Sequence, residues 1–163
     1  MIEPIVINHY TRAIRNNTNT SSLGVIENTI LNTGEEGSNI YSYRDAIISH
    51  GYNLSSDDGS GFLIAAGDQI NTDPTLGPLQ NNGGLTETYA LLRGSPAINA
   101  GDPVILFNPN EFDQRGPGFP RVVGGRIDIG AVEMKVGRRP HRRLASQYQL
   151  PISSSDLLSS TDG

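Results

Sequence analysis

Asp113, Arg115, Arg121, Asp128 and Glu133 fall within one short segment, and Asp102 lies just before it. These residue types support three kinds of chemistry. Arginine can close a forked, two-hydrogen-bond pair with a carboxylate. Calcium takes about six to eight oxygens, which Asp102, Asp113, Asp128 and Glu133 could supply together with backbone carbonyls. Two carboxylates can also work as general acid and base. The first use is favoured, because Arg115 and Arg121 stand as ready partners for Asp113, Asp128 or Glu133. Such a fork would fix how a strand docks. Ile127, Ile129 and Ala131 alternate as on one face of a strand, which puts Asp128 on the other face.

Nothing else in the chain competes with this cluster. His9, His50 and His141 are far apart, and no H-E-x-x-H spacing exists. Ser95 stands in Gly-Ser-Pro, not in the elbow of a serine hydrolase. Gly116, Gly118, Gly124 and Gly125 lack the Lys-Ser/Thr pair of a phosphate loop. The run from Asp68 to Asp73 has oxygen ligands without the glycine and spacing of an EF-hand. Cysteine is absent, which removes disulfides, thiol catalysis and cysteine-ligated metals. No cofactor is expected, and calcium is the lesser alternative.

The stretch Gly94–Asp102 reads as one short helical turn. Ser95 suits the N-cap, Pro96 the first helical position, and Gly101 the left-handed residue that ends it. Ala97, Ile98 and Ala100 give the turn a small apolar surface. Gly83 and Gly84 permit a tight turn before Leu85–Leu92. The segment 81–134 is therefore expected to be a cap. Its structural residues would be Ser95, Pro96, Ile98, Gly101, Asp113, Arg115, Arg121, Asp128, Ile129 and Glu133.

What the cap would cover follows from composition and repetition. The chain has 19 Gly, 10 Pro and no Trp, a mixture that suits short strands joined by turns. Three stretches begin with paired aliphatics, at Val6-Ile7, Val25-Ile26 and Ile47-Ile48, each followed by turn-forming residues. That spacing matches a rung of a parallel β-helix; the short strands of a β-sandwich are the alternative. Asn8, Asn28 and Asn53 are placed at turns. An open solenoid end exposes aliphatics and strand edges, so a cover is needed.

The expected class is all-β: the last rungs of a right-handed parallel β-helix over 1–80, a loop-rich cap over 81–134, and a disordered basic and Ser-rich tail over 135–163. Residues 1–134 carry 7 basic and 15 acidic side chains, and the remainder 5 and 2. An acidic body argues against nucleic acid as partner. No run approaches the roughly 18 apolar residues of a membrane span. "RRPHRR" could touch anionic lipid or polymer, but a solvated tail is the simpler reading.

Longer motifs carry a resemblance. "SHGYNLSSD", "INTDPTLGPLQNNGGLTETYALLRGSPAINAGDP" and "DQRGPGFPRVVGGRIDIGAVE" occur in order. From about Val25 to Glu133 the chain resembles the C-terminal end of bacterial right-handed parallel β-helix surface proteins of the choice-of-anchor Q group. The resemblance implies an extracellular or cell-surface protein without an assigned activity. It would be structural, adhesive or carbohydrate-contacting, with upstream rungs of the same polypeptide and cell-surface polysaccharide as partners. The DIGA-x-E element also ends some β-helix polysaccharide lyases, so a fragment of a lyase or glycosidase is the alternative. The start lacks a signal-peptide pattern, and the repeats begin almost at Met1. The chain is therefore expected to be the C-terminal piece of a longer protein.

Overall fold

A computed structural model gives the fold, and it describes residues 5–7, 12–13, 23–33, 38–40, 46–106 and 108–135. The tail expected over 135–163 lies outside these residues beyond Lys135, as do Asn8, His9 and His141. Among the described residues eight strands form the regular structure: β1 (Ile5–Ile7), β2 (Arg12–Ala13), β3 (Leu23–Glu27), β4 (Ile30–Asn32), β5 (Ala46–Gly51), β6 (Leu54–Ser55), β7 (Leu76–Gln80) and β8 (Thr88–Leu91). The one helical element among the described residues is a 3-10 turn at Gly59–Gly61. The class is all-β. No helix among the described residues is long and apolar enough to cross a membrane.

Two consecutive strand pairs stack in parallel. β3 pairs with β5, from Leu23↔Ala46 to Glu27↔Gly51, and β4 pairs with β6 through Ile30↔Leu54 and Leu31↔Ser55. A parallel bridge from Leu54 to Gln69 continues the second column. The chain bends at a left-handed residue between β3 and β4, Asn28 (φ 49°), and again between β5 and β6, Tyr52 (φ 54°). Asn suits this backbone, whereas Tyr adopts it rarely.

Asn53 joins the levels at the bend. Its Oδ1 accepts the N–H of Thr29 at 3.0 Å, and its Nδ2 donates to Ser49 Oγ and Asp68 Oδ1, both at 2.9 Å. Asp68 also accepts the N–H of Asn53 and of Ala65. These bonds satisfy buried polar groups that a bend removes from the strand ladder.

Three expectations are corrected here. β1 does not stack in parallel as a first rung: it runs antiparallel to β4, with Val6 opposite Leu31, and β2 runs antiparallel to β3. The second and third repeats pair one residue out of the expected register, as Gly24↔Ile47 and Val25↔Ile48. Two adjacent aliphatics leave the parity of a strand open, and a one-residue slip exchanges its faces. Here Ile26 and Ile47 pack against the buried cluster of Leu31, Ile40 and Leu63. Of the expected turn residues, Asn28 is left-handed, but at the second bend Tyr52 takes that role and Asn53 does not.

A second apolar cluster joins distant parts of the chain. Ile30 and Leu54 pack with Leu91, Ala97 and Ile129, and Leu76, Ile98, Ala100 and Met134 close around them. Each buried aliphatic of this size contributes about 1.5–3 kcal/mol. The residues of 81–134 thus share a core with the stacked strands.

Candidate functional site

The Gly94–Asp102 stretch forms two successive tight turns, with Ile98 N–H bonded to Ser95 O and Ala100 N–H to Ala97 O. The expected helical turn is absent. Ser95 does cap: its Oγ accepts the N–H of Ala97 at 3.2 Å and donates to Pro74 O at 2.6 Å. Pro96 follows it at the start of these turns, half-buried. The left-handed residue is Asn99 (φ 51°), not Gly101. Gly101 answers a different need. A Cβ there would stand 2.5 Å from Ile127 Cγ1 and 2.9 Å from Asn28 Oδ1, so only glycine lets the three segments meet. Ile98 is half-buried, while Ala97 and Ile129 are fully buried.

Ile127–Ala131 is not a strand. Ile127, Asp128, Ile129 and Ala131 are all buried, so the segment has no solvent face for alternation to serve. Its carbonyls find partners outside a ladder. The Arg121 guanidinium donates to Asp128 O at 3.2 Å and to Gly130 O at 3.1 Å.

The five charged residues singled out in the sequence meet in one buried knot. Arg115 forks onto Asp113, with Nη2 to Oδ2 at 2.5 Å and Nε within 3.2 Å of both oxygens. Its Nη2 also donates to Glu133 O at 2.6 Å. Arg121 pairs with Glu133 Oε1, which also accepts the N–H of Asp128. Asp128 accepts backbone N–H groups from Asn99 and Met134 rather than an arginine. Asp113 takes the N–H of Glu133 at 2.9 Å. The Arg115 guanidinium lies 4.2 Å from the Phe119 ring centroid, a cation–π distance. The Gly83–Gly84 turn backs onto this region, since a Cβ on Gly83 would strike Phe119 and one on Gly84 would strike Arg115 O.

Burial sets the electrostatics of the knot. It pushes the Glu133 carboxyl up to about 8, and the nearby Asp128 charge adds to the rise, against the opposing pull of Arg121. Asp128 is also raised, chiefly by burial, against the hydrogen bonds from Met134 and Asn99. Glu133 Oε2 is buried without a partner. A protonated carboxyl tolerates that position at lower cost than a charged one. Both oxygens of Asp113 and both of Asp128 accept N–H groups. A cation would have to displace those donors. Among the described residues no group of three or more His, Asp or Glu is placed to hold a metal.

A second polar corner was not legible in the sequence. In the β3–β5 ladder, Ile26 faces Ser49 and Glu27 faces Gly51. His50 is the extra residue of a bulge, a feature that re-aims a side chain. Burial raises the Glu27 carboxyl, and the Asp102 charge adds to the rise against the opposing influence of His50. Asp102 is held there by its own N–H, bonded to Asn28 Oδ1 at 2.7 Å. Arg126 donates to Ala100 O and Gly101 O and lies 5.6 Å from the Tyr52 ring centroid. Asp102 therefore belongs to this corner, not to the knot.

No family model, no curated protein and no solved structure matches the chain.

Proposed function

We propose that this chain is a non-catalytic, C-terminal part of an extracellular or cell-surface protein built on a right-handed parallel β-helix, of the choice-of-anchor Q kind, and that 81–134 caps the solenoid end. The observation that carries this reading is the shared core. Ala97 and Ile129 pack against Ile30 and Leu54, which are paired in a parallel ladder. The knot agrees with a structural role. Its charged groups are buried and bonded to one another and to backbone, which leaves no open face for a substrate. On this reading the knot locks the cap in one geometry, and the protein contacts cell-surface polysaccharide without breaking it.

The alternative, a fragment of a polysaccharide lyase or glycosidase, draws support from the corner at Glu27, His50 and Asp102, where Tyr52 and Arg126 stand close by. One experiment separates the two. The protein is incubated with neutral and anionic surface polysaccharides, and both retention on the immobilised polymer and the release of new chain ends are measured. Retention without new chain ends is expected. Chain ends that disappear in a His50→Ala variant would establish the enzyme instead.

A further inference from the structure

We propose that Asn82–Gly83 is a latent deamidation site, held off in the folded protein by the β7–β8 hairpin and released when that hairpin opens. It is the one Asn-Gly step in the sequence. Both residues answer structural needs. Gly83 has a positive φ of 97°, and a Cβ on it would stand 2.4 Å from Phe119 Cζ. Asn82 Nδ2 donates to Thr88 O at 2.6 Å and to Thr88 Oγ1 at 3.2 Å, which ties the turn to the last strand pair, Gln80↔Thr88. The fold therefore keeps an amide side chain next to a backbone nitrogen that no Cβ shields.

The reaction begins when the Gly83 nitrogen attacks Asn82 Cγ. The new C–N bond closes a five-membered succinimide as the Cγ–Nδ2 bond breaks, and the Gly83 N–H proton leaves with ammonia. Water then opens the ring at either carbonyl and gives aspartate or isoaspartate. Water is the sole co-reactant, and nothing is oxidised or reduced. In the fold each reacting group is engaged elsewhere. Gly83 N–H donates to Asn81 Oδ1 at 2.9 Å. The leaving Nδ2 is held on Thr88, which is buried, and Asn82 Oδ1 accepts from Gln80 Nε2 at 3.2 Å. Attack must wait for a local opening that frees these groups. The product does not fit the place it leaves, because a carboxylate only accepts and cannot donate to Thr88 O. Isoaspartate also lengthens the backbone by one carbon. β8 carries Leu91 into the core shared with Ile30 and Leu54, so the change weakens the hold of the hairpin on that core, and refolding does not reverse it.

Peptide mapping by mass spectrometry, with the change localised to residue 82, reads the yield of aspartate and isoaspartate over time. The folded protein and the chain in guanidinium chloride are compared at the same mildly alkaline pH. The denatured chain should convert roughly tenfold faster or more, since only the opened fraction of the folded protein reacts. Asn81→Ala removes the acceptor of Gly83 N–H at an exposed position. It should speed conversion of the folded protein severalfold while the global unfolding midpoint stays at the parent value. Equal rates in folded and denatured protein overturn the proposal, as does a denatured chain that stays unconverted. So does an Asn81→Ala protein that converts at the parent rate, or one that converts faster only in step with a loss of global stability. If Asn81→Ala fails to fold, Thr88→Val, which removes one acceptor of Asn82 Nδ2, gives the same reading.

Discussion

The side-chain oxygen of Asn28 accepts the backbone N–H of Asp102 at 2.7 Å, and the carbonyl of Asn28 accepts the N–H of Gly130. One left-handed residue at the bend of the strand stack thus holds two segments of the C-terminal layer. Asn28→Gly keeps the backbone freedom and removes the acceptor. It should cost about 1 kcal/mol, because the half-buried Asp102 N–H loses its acceptor. Asn28→Ala should cost more, because a Cβ opposes the left-handed conformation without a local hydrogen bond to compensate. Urea unfolding of the two variants checks the order.

Gly101→Ala places a methyl where Ile127 Cγ1 would be 2.5 Å away. Overpacking of this kind should cost about 1–3 kcal/mol. Asn99→Gly, at the left-handed position, should be nearly neutral in backbone terms. Thermal unfolding of the pair would distinguish close approach at Gly101 from a turn requirement there.

Arg121 spans Glu133 and the carbonyls of Asp128 and Gly130. Truncating it to Ala strands a buried carboxyl and frees two buried acceptors. The expected loss is about 1–3 kcal/mol, the penalty of leaving buried polar groups unpaired. Arg121→Lys should recover only part of it, because an ammonium lacks the planar fork. Both are measured by denaturant unfolding.

Glu133 gives the pH dependence a definite sign. Its folded value, about 8, stands above its ordinary 4.5. Folding thus favours the protonated form, and this contribution to stability is present at acid pH and lost as pH rises from about 5 through about 8. Glu133→Gln should flatten that part of the stability–pH curve. A parent curve that rises across the same interval would show that the Arg121 pair, not burial, controls the group.

Part of this was legible in the residues themselves. Many Gly, Pro and Asn with paired aliphatics indicate short strands and turns, and two arginines among three acids indicate ion pairs. Pairing direction was not legible, because Val6-Ile7 satisfies an antiparallel partner as well as a parallel one. Register was ambiguous wherever two aliphatics adjoin. The alternation at Ile127–Ala131 suggested a strand because sequence does not show that its other face is buried too. Gly101 and Asn99 could not be assigned separately, since both tolerate a left-handed backbone. The corner at Glu27, His50 and Asp102 depends on a bulge and a long-range hydrogen bond, neither of which leaves a local pattern.

If the knot and its surroundings are structural, removing metal ions should leave the protein unchanged. Thermal unfolding with and without a calcium chelator should superimpose, and Asp128→Asn should not alter that result. Unfolding by chelator alone would make the carboxylates metal ligands and displace the ion-pair account.

Thermal unfolding of Ile129→Asp, followed together with light scattering, bears most directly on the capping of the strand stack by 81–134. Ile129 is fully buried against Ile30 and Leu54, and an aspartate there would lack a partner. The melting temperature should fall by about 10 °C or more, and scattering should rise as strand edges become exposed. Ile98→Asp, at a half-buried position, should follow with a smaller loss. An Ile129→Asp protein that melts with the parent and stays free of aggregates would contradict the cap.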